Sequence, residues 1–330
     1  MNKKQRGFTE GDSIDTRKLV SIICPVHNEV DTLPIFYSRI TKVIESVSSR
    51  YNFELIFINN RSEDATLDLL KEMQLGDQTI HIFTMSRNFG YQASLQAGMA
   101  VMSGDGMVII DADCEDPPEM IVQFLEKWEE GYDVVYGKRA ERHELWVIRK
   151  ARNIFYHILR LSGDMDIVLY MAEFSLISAH VCEAIADNNN TFPFLRAEIG
   201  YAGFAKFGIP YKREKRVAGK THYNFTSMVT FAIAGLLTSS TFLMRLAGYM
   251  FPLLVLTNVA LLASWSFMGS EDALQICVVL NLTYIAYLLT IQGTYLARIY
   301  KNMLKRPVYI IDKKFTFTSK QWKDKPGKGM

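Results

Sequence analysis

The chain of 330 residues lacks the cysteine patterns of disulfide frameworks and zinc sites. Its four cysteines, Cys24, Cys114, Cys182 and Cys277, show no C-x-x-C spacing, and Cys277 lies within a hydrophobic stretch. Residues 1–18 lack the apolar segment of a signal peptide. Reduced thiols in the cytosol are therefore favoured, and residues 1–18 are expected to form a flexible N-terminus.

A strong excess of one charge is also absent. The formal net charge is +2, from 37 basic and 35 acidic residues, and 49% of the residues are hydrophobic. This composition is neither that of a disordered chain nor that of a protein that coats nucleic acid. We therefore expect a folded protein with no nucleic-acid partner and with more than one structural unit.

Several catalytic motifs are missing as well. The sequence contains no G-x-G-x-x-G of a dinucleotide site, no H-E-x-x-H of a zinc hydrolase and no G-x-S-x-G of a serine hydrolase. Residues 219–221 resemble the end of a phosphate-binding loop, but Glu214 occupies the position of the required first glycine. Dehydrogenase, hydrolase and P-loop functions therefore have no support.

Short β-rich runs alternate with segments of helical apolar spacing from residue 19 to about residue 136. The predicted strands are 19–24, 53–58, 80–85, 107–110 and 133–136, and the predicted helices are 32–49, 65–73, 91–102 and 118–130. Such alternation is typical of a mainly parallel sheet with helices on both faces. The predicted fold class is α/β, with a Rossmann-like sheet domain at residues 19–223.

Two long apolar runs follow this domain. Residues 246–267 contain no charge and would span roughly 33 Å as a helix, enough for the hydrocarbon core of a bilayer. An acidic connection leads to the second run at residues 273–296. We therefore predict two transmembrane helices within residues 246–298, against the weaker alternative of a helical hairpin buried in a soluble core.

The flanking charges predict the orientation of these helices. Basic residues lie at the outer ends of the pair and only acids lie between the two runs, so the positive-inside rule places both termini and the sheet domain in the cytosol. Residues 299–330 are expected to form a basic cytosolic tail, mobile or membrane-hugging from Lys313 onwards. The protein is then an integral membrane protein, with the bacterial inner membrane as the expected location.

Three other segments are expected to lie at or near the membrane surface, and two of them have a second interpretation. Residues 146–161 combine an apolar face with basic residues, which suits either a helix packed on the domain or a helix on anionic lipid heads. Residues 224–245 are expected to form a juxtamembrane amphipathic helix. The basic cluster at residues 212–216 is either a solvated juxtamembrane cluster or a site that handles phosphates beside the bilayer.

Three acids follow an apolar run that predicts a buried strand. Asp111, Asp113 and Glu115 come directly after residues 108–110, and a Pro-Pro pair then starts a helix. Carboxylates at the carboxyl end of a strand lie in the crevice where open α/β sheets bind ligands. Because Mg²⁺ or Mn²⁺ carrying a diphosphate needs such hard oxygen ligands, the pattern predicts a divalent-metal site, although a bare D-x-D is common by chance.

Polar residues also follow the first two predicted strands. Pro25 ends the first strand, with His27 and Glu29 after it, and Asn59 and Asn60 end the second strand. The amide side chains offer the donor and acceptor that reading a nucleobase edge requires. The plainer alternative is a pair of strand-to-helix turns, closed by capping side chains and favoured by the helix dipole.

Together these residues resemble the polyprenyl-phosphate glycosyltransferases, the dolichyl-phosphate mannose synthase-like group of glycosyltransferase family 2, which have a GT-A fold. The resemblance covers about residues 19–312. Its most specific parts are S-R-N-F-G-Y-Q-A at 86–93, the acidic run at 111–119, G-Y-D-V-V-Y-G at 131–137, R-V-A-G-K-T-H-Y at 216–223, A-R-I-Y at 297–300 and R-P-V-Y-I at 306–310. So many collinear matches argue against coincidence.

The resemblance implies a role for each candidate residue. The nucleotide sugar would contact Pro25, His27, Glu29, Asn59, Asn60, Asp111 and Ala112. The metal, Mg²⁺ or Mn²⁺, would be held by Asp113 and Glu115, and phosphates would be bound by Arg139, Arg216 and Thr221. The implied catalytic residues are Asp111, Asp113 and Glu173, of which Asp111 or Glu173 would orient the acceptor without acting as a required base.

Several positions depart from the family pattern. Residues 59–66 replace Asp-Asp-Gly-Ser-Thr-Asp-Gly-Thr, which weakens the expectation of uridine. Glu115 replaces a usual glutamine and should tighten metal binding, whereas Ser175 replaces an arginine and leaves one phosphate contact unassigned. His222 replaces a lysine, which would make phosphate binding pH-sensitive.

The implied reaction is the inverting transfer of a hexose from a UDP- or GDP-linked sugar to undecaprenyl or dolichyl phosphate in the membrane. A modified amino sugar is an alternative donor group. The alternative function is a non-catalytic membrane scaffold, suggested by Asn59, Asn60 and Ser175. A processive polysaccharide synthase would bring more membrane spans and a Q-x-x-R-W motif, which are both absent. A homo-oligomer is compatible with the two-span anchor.

Overall fold

The computed structural model describes residues 16–139, 150, 171–186, 193–215, 240–269 and 271–318. These residues form a seven-stranded sheet flanked by helices, followed by two long helices and a C-terminal segment. The candidate phosphate ligands Arg216 and Thr221 lie outside this part of the chain, as does His222. The predicted helix at 146–161 and the juxtamembrane segment at 224–245 fall largely outside it as well.

Seven strands build the sheet in the described part of the chain. They are β1 (Lys18–Val26), β2 (Tyr51–Asn59), β3 (Ile80–Thr84), β4 (Gly106–Ile109), β5 (Val134–Arg139), β6 (Met171–Ser178) and β7 (Lys206–Tyr211). Their spatial order is β3-β2-β1-β4-β6-β5-β7, and β6 alone among these strands is antiparallel to its neighbours. The predicted class, a mainly parallel α/β sheet, is therefore confirmed.

Helices connect the strands and cover the sheet. They are α1 (Leu33–Val47), α2 (Thr66–Gly76), α3 (Tyr91–Val101), α4 (Ile121–Glu129, after a 3-10 turn at Pro118–Met120), α5 (Ala179–Ala186) and α6 (Leu195–Ala202). In α1, Phe36, Ile40, Val43 and Val47 recur at helical spacing and all are buried, so one stripe of the helix faces the sheet. The predicted strands and helices up to residue 136 lie within a few residues of these positions.

The sequence analysis did not identify β6, β7, α5 and α6. All eight residues of β6 are buried, so the strand shows no alternation of polar and apolar side chains. A short, fully buried strand cannot be distinguished from a buried helical segment by periodicity alone. The consequence for the site is large, because antiparallel β6 begins at the sheet edge where the parallel strands end.

A hydrophobic core lies on each face of the sheet. Successive side chains of a strand point to opposite faces, and accordingly Ile22 of β1 packs in one core and Ile23 in the other. The first core contains Phe36 of α1 and Phe124 of α4, and the second contains Leu95 of α3. Two covered faces leave the strand ends as the part of the sheet domain that can present polar side chains to a ligand.

A buried carboxylate ties together the amino-terminal part of the sheet. Glu54 is 3% exposed and accepts hydrogen bonds from the backbone of Ser103 at 2.7 Å and from the hydroxyl of Ser21. The same hydroxyl accepts from the backbone of Gly104 at 2.9 Å. This network fixes the turn between α3 and β4. The acidic loop follows the other end of β4.

We predict that Glu54→Ala lowers the free energy of unfolding by about 3 kcal/mol, because the buried hydroxyl of Ser21 and the backbone N–H of Ser103 lose their acceptor. Thermal unfolding in detergent, followed by circular dichroism, measures this change. Glu45→Ala, at an exposed position of α1, is the control and should change the free energy by less than about 0.5 kcal/mol. Equal melting temperatures for the two variants would contradict the structural role of Glu54.

Two long helices follow the sheet domain, α7 (Phe242–Met268) and α8 (Glu271–Met303). Both are long and apolar enough to cross a membrane, with a mean hydropathy of 1.9, and only 6% of each apolar window is buried. The core hairpin of a soluble protein would be mostly buried, so the low burial of both helices argues against that alternative. Both helices extend a few residues beyond the apolar runs from which they were predicted.

Polar side chains join the two long helices to each other. The side-chain amides of Asn258 and Asn281 exchange two hydrogen bonds of 3.0 Å. The hydroxyls of Tyr284 and Tyr287 donate to backbone carbonyls of α7 at 3.0 and 2.8 Å. Such bonds hold helices together where both faces are apolar, so α7 and α8 form a paired hairpin.

Residues 304–318 return from α8 to the free edge of β3. Phe317 and Ile82 exchange two backbone hydrogen bonds of 2.7 and 2.8 Å, and the backbone of Ser86 donates to Ile310 at 2.9 Å. Pairing of this kind covers an otherwise exposed strand edge. The tail that was expected to be mobile or membrane-hugging is therefore, up to residue 318, part of the edge of the sheet.

Candidate active site

The carboxyl ends of the parallel strands meet at one edge of the sheet. β1 and β4 are neighbours without being consecutive, so the direction of winding reverses between them, and open α/β sheets bind ligands at such a point. His27 follows β1, Asn60 follows β2, and Asp111 follows β4. Because β6 is antiparallel, Glu173 near its beginning reaches the same edge.

Three loops at this edge contain a non-glycine residue with positive φ. These residues are Asn28 (φ 58°), Arg61 (φ 60°) and Cys114 (φ 54°), which follow β1, β2 and β4. Such conformations are uncommon outside glycine and persist where surrounding contacts fix them, often at functional sites. Cys114 is fully buried in the core between the two candidate metal ligands Asp113 and Glu115.

Asn59 and Asn60 hold the loops together through their side-chain amides. The Oδ1 atom of Asn59, which is 1% exposed, accepts from the backbone and the hydroxyl of Ser62 at 2.9 and 2.7 Å. Asn60 accepts from the backbone of Phe89 at 2.9 Å and donates to Asn88 at 2.9 Å. The turn-closing role that the sequence left as an alternative is therefore observed for Asn59.

Asn88 connects three loops of the site, although the sequence analysis did not include it among the candidates. Its Nδ2 atom lies 3.2 Å from Nε2 of His27, and its Oδ1 atom accepts from Asn60 and, at 2.9 Å, from the backbone of Gly90. Asn88 is itself exposed. Its position after the third parallel strand, within the motif at 86–93, is the sequence signal that could have identified it.

The remaining candidates on the nucleotide side lie around the first loop and the acidic loop. Pro25 is half-buried at the end of β1. The carboxylate of Glu29 accepts from the hydroxyl of Thr32 at 2.7 Å, just before α1 begins. The side chain of Ala112 is buried in the core, 2% exposed, and therefore does not offer a surface to a ligand.

The acids after β4 lie close enough to perturb one another. Asp111 accepts from the hydroxyl of Tyr91 at 2.7 Å, and Asp113, which is 6% exposed, accepts from the backbone of Glu115 at 3.0 Å. Burial, followed by the charges of Asp113 and Asp116, raises the pKa of Asp111 to about 7. A cation bound beside Asp111 would favour its charged form and so lower this pKa.

The acidic loop fits a hard divalent cation in its chemistry. Asp113 and Glu115 supply carboxylate oxygens, and in the described part of the chain no three His, Cys, Asp or Glu side chains form a metal-binding group. Mg²⁺ needs only one or two protein carboxylates when diphosphate oxygens and water complete its shell. Two ligands therefore suffice for a metal that binds together with a nucleotide diphosphate.

Two arginines contact the acids of this loop. Nη1 of Arg213 lies 2.6 Å from Oε2 of Glu115, and Nε of Arg213 lies 3.6 Å from Oδ1 of Asp116. Nη2 of Arg139 lies 3.8 Å from Oδ2 of Asp116, and the hydroxyl of Tyr211 donates to the same carboxylate. Arg139, a candidate phosphate ligand, is thus paired with a buried acid, and Arg213 is a cation of the site that the sequence analysis did not single out by itself.

Glu173 lies on the other side of the acidic loop in a network of its own. Its Oε1 atom lies 2.9 Å from Nε of Arg196 and accepts from Gln92 at 3.1 Å. Its Oε2 atom is buried without a hydrogen-bond partner among the described residues. Tyr91 and Gln92 are adjacent at the start of α3, so one turn of helix holds both Asp111 and Glu173.

Ser175 stands where the family pattern has an arginine, and the structure shows which charged side chain lies nearby. The hydroxyl of Ser175 is buried and donates to the backbone of Glu173 at 2.9 Å, so it presents no charge to the site. Arg196 brings a guanidinium to Glu173 from α6, an element that the sequence analysis did not identify. A positive charge therefore lies beside Glu173, although Ser175 carries none.

Comparison with known proteins identifies the family. A sequence model described as Glycosyl transferase family 2 matches residues 21–185, half of the chain. The uncharacterized glycosyltransferase YkcC of Bacillus subtilis (strain 168) is 32% identical over 316 residues, which cover 91% of this chain and 95% of YkcC. The chain belongs to glycosyltransferase family 2. The prophage bactoprenol glucosyl transferase homolog of Escherichia coli (strain K12) is 29% identical, over 88% of this chain and 98% of that protein.

Among solved structures, the mannosyltransferase PcManGT from Pyrobaculum calidifontis in complex with GDP-Man and Mn²⁺ aligns with a TM-score of 0.44 and 16% identity, over 88% of each chain. In the present chain, the sheet domain is of the GT-A type that was predicted. The acidic loop lies within the residues that the family model matches. The protein is thus a transferase, and the scaffold alternative is set aside.

Proposed function

We propose that this glycosyltransferase transfers a hexose, with inversion and with Mg²⁺ or Mn²⁺, from a nucleotide diphosphate sugar to the phosphate of a membrane polyprenol. One observation carries the proposal: the acidic loop and the Glu173–Arg196 pair stand at one sheet edge in a chain that also has a hairpin of membrane-spanning length. The bactoprenol glucosyl transferase relatives support a lipid acceptor of this class.

On the donor side, the loops after β1, β2 and β3 would bind the nucleotide, and Asp113 and Glu115 would hold the metal. A bound divalent metal neutralises the leaving diphosphate. The chain contributes a preorganised frame, because Asn60, Asn88 and His27 are already linked in the protein. Such preorganised polar groups lower the free energy needed to align the donor.

On the acceptor side, Glu173 and Arg196 suit an anionic group. A guanidinium binds phosphate oxygens through parallel N–H groups, and Glu173 lies 2.9 Å from Nε of the Arg196 guanidinium. A phosphate monoester with a second pKa of about 6 is already largely ionised at neutral pH. Its oxygen attacks the anomeric carbon while the bond from that carbon to the nucleotide diphosphate breaks, so the sugar is inverted and no general base is needed.

We propose that the hairpin brings this edge to the lipid from the cytosolic side of the membrane. The chain enters α7 from the sheet domain, and after α8 it returns to β3 of the same domain. Both ends of the hairpin that face the domain therefore lie on one side of the bilayer. Arg245, Arg298 and Lys301 lie towards these ends, which agrees with a cytosolic orientation.

We predict that Asn88→Ala lowers the affinity for the donor nucleotide about tenfold, because the contacts that join three loops are lost. Calorimetric titration with UDP and with GDP in the presence of Mn²⁺ measures this effect. Asn88→Asp is the matched variant, since it keeps the acceptor for Asn60 and Gly90 and loses only the donor to His27. Unchanged affinity in Asn88→Ala would contradict a nucleotide site at these loops.

The proposed function is tested by a donor panel. The purified full-length protein in detergent is incubated with Mn²⁺, polyprenyl phosphate and radiolabelled UDP- and GDP-sugars, including glucose, mannose, N-acetylhexosamines and an aminoarabinose. We expect label from at least one hexose donor in the lipid extract, with inverted anomeric configuration by NMR. Exclusive transfer of the amino sugar would support the alternative donor, and transfer from no donor would contradict the proposal.

A further inference from the structure

Arg213 places a positive charge directly on a predicted metal ligand. Its Nη1 atom lies 2.6 Å from Oε2 of Glu115, and its Nε atom lies 3.6 Å from Asp116. The side chain of Glu115 is 17% exposed, so its carboxylate is largely shielded from water. A divalent metal bound to Glu115 and Asp113 would therefore meet a guanidinium already in contact with one of its ligands.

The backbone beside Arg213 is held independently of the Arg213 side chain. The backbone N–H of Glu214 donates to the carbonyl of Glu115 at 2.8 Å. The guanidinium of Arg39 binds Glu119 at 2.7 Å and Glu214 at 2.9 Å, so it clasps the two segments together. A rotation of the Arg213 side chain can therefore change its partner without moving the main chain away from the acidic loop.

Arg139 is held differently, although it also faces Asp116. Asp116 is 2% exposed and is bound by the hydroxyl of Tyr211 as well as by Arg139. The side chain of Arg139 is 20% exposed, whereas that of Arg213 is 36% exposed. Both arginines face Asp116, but Arg139 also donates to the hydroxyl of Tyr211 and is the more enclosed of the two, so Arg213 has more room to change its partner.

We propose that Arg213 is a positioning residue that exchanges one anion for another: it binds Glu115 in the metal-free enzyme and moves to the donor diphosphate when the metal takes Glu115. This inference rests on the proposed function for the identity of the diphosphate. With metal–oxygen distances of about 2.1 Å, diphosphate oxygens on the same ion come within roughly 4 Å of Glu115. They therefore lie within the reach of Arg213, whose planar guanidinium matches phosphate oxygens.

The exchange makes metal and nucleotide affinities move in opposite directions when Arg213 is changed. Without nucleotide, Arg213→Gln removes a competitor and a repelling charge, so Mn²⁺ should bind about fivefold more tightly. Electron paramagnetic resonance of free Mn²⁺, titrated into the full-length protein in detergent, measures this affinity. Arg50→Gln is the control, since Arg50 forms a comparable ion pair with Glu129 away from the site and should leave Mn²⁺ binding unchanged.

The second measurement uses saturating Mn²⁺ and titration calorimetry with UDP and, in parallel, with GDP. Arg213→Gln should weaken the nucleotide that binds the wild type by about tenfold, because a charge-assisted contact to the diphosphate is lost. Arg213→Lys keeps the charge without the planar fork and should give intermediate values in both measurements. This graded rescue separates an electrostatic exchange from a general loss of structure.

Tighter Mn²⁺ binding together with weaker nucleotide binding in Arg213→Gln supports the exchange. Weakening of both affinities, or a change in only one of them, overturns it, since Arg213 would then be a structural latch or a simple contact. If the wild type transfers sugar but Arg213→Gln does not combine tighter Mn²⁺ binding with weaker nucleotide binding, the exchange is wrong and the proposed function stands. If the wild type binds neither nucleotide with Mn²⁺, both fail.

Discussion

Asp113→Asn is expected to lower the rate of sugar transfer by at least about a thousandfold, because one of the two proposed protein ligands to the metal loses its charge. The amide keeps an oxygen that can accept the 3.0 Å hydrogen bond from the backbone of Glu115, so the loop should keep its conformation. The loss is therefore expected in catalysis and metal binding, and thermal stability should change little.

Initial rates with the active donor, Mn²⁺ titration and thermal unfolding together measure the effect of Asp113→Asn. Asp68→Asn is the control, because Asp68 lies exposed on α2 in an ion pair with Lys71, and its rate should remain within about twofold of the wild type. A variant at position 113 that keeps wild-type transfer and wild-type Mn²⁺ affinity would contradict the assignment of the metal to the acidic loop.

Glu173→Gln is expected to lower kcat about a hundredfold while changing the affinity for the donor nucleotide by less than about threefold. The amide has nearly the same shape but ends the ion pair with Arg196, the side chain proposed to bind the acceptor phosphate. Since the lipid phosphate is already ionised above its second pKa of about 6, the factor lost should be constant from pH 7 to pH 9.

The pH profile of kcat for the wild type and Glu173→Gln distinguishes orientation from proton transfer. Gln92→Ala, which removes the other contact to Oε1 of Glu173, should give a smaller loss with the same flat profile. A loss in Glu173→Gln that grows tenfold or more with rising pH would make Glu173 a proton acceptor, against the present mechanism. A wild-type kcat in Glu173→Gln would show that Glu173 does not contribute to the reaction.

Much of the fold followed from periodicity, but the acceptor side of the site did not. Where an apolar run is followed by polar residues, as at β1 and β4, the sequence predicts both the strand and the candidate ligand-binding side chains after it. Asp111 was found in this way. β6 is buried throughout, so no alternation marked it. Glu173 was named by resemblance alone, and Arg196 on α6 was missed because a lone arginine on a short helix carries no pattern.

Contacts between segments that are distant in the chain were the second feature that could not be predicted from the sequence. Asn59 and Asn60 were expected to face a nucleobase, but whether an amide faces a ligand or closes a loop depends on Ser62 and Asn88, and their proximity is a property of the folded sheet edge. The pairing of residues 304–318 with β3 is a similar case. The basic, polar sequence from Lys313 onwards predicted solvation, whereas backbone pairing with β3 and the packing of Tyr309, Ile311 and Phe317 against the cores hold the segment in place.

The most direct test of the central claim compares two acceptors that differ only in their phosphate. The purified enzyme, Mn²⁺ and the active radiolabelled donor are incubated with polyprenyl phosphate or with the free polyprenol of the same length, and the label in the lipid extract is measured. The account predicts transfer to polyprenyl phosphate and none above background to polyprenol. Equal transfer to both lipids, or transfer to neither with any donor of the panel, would contradict it.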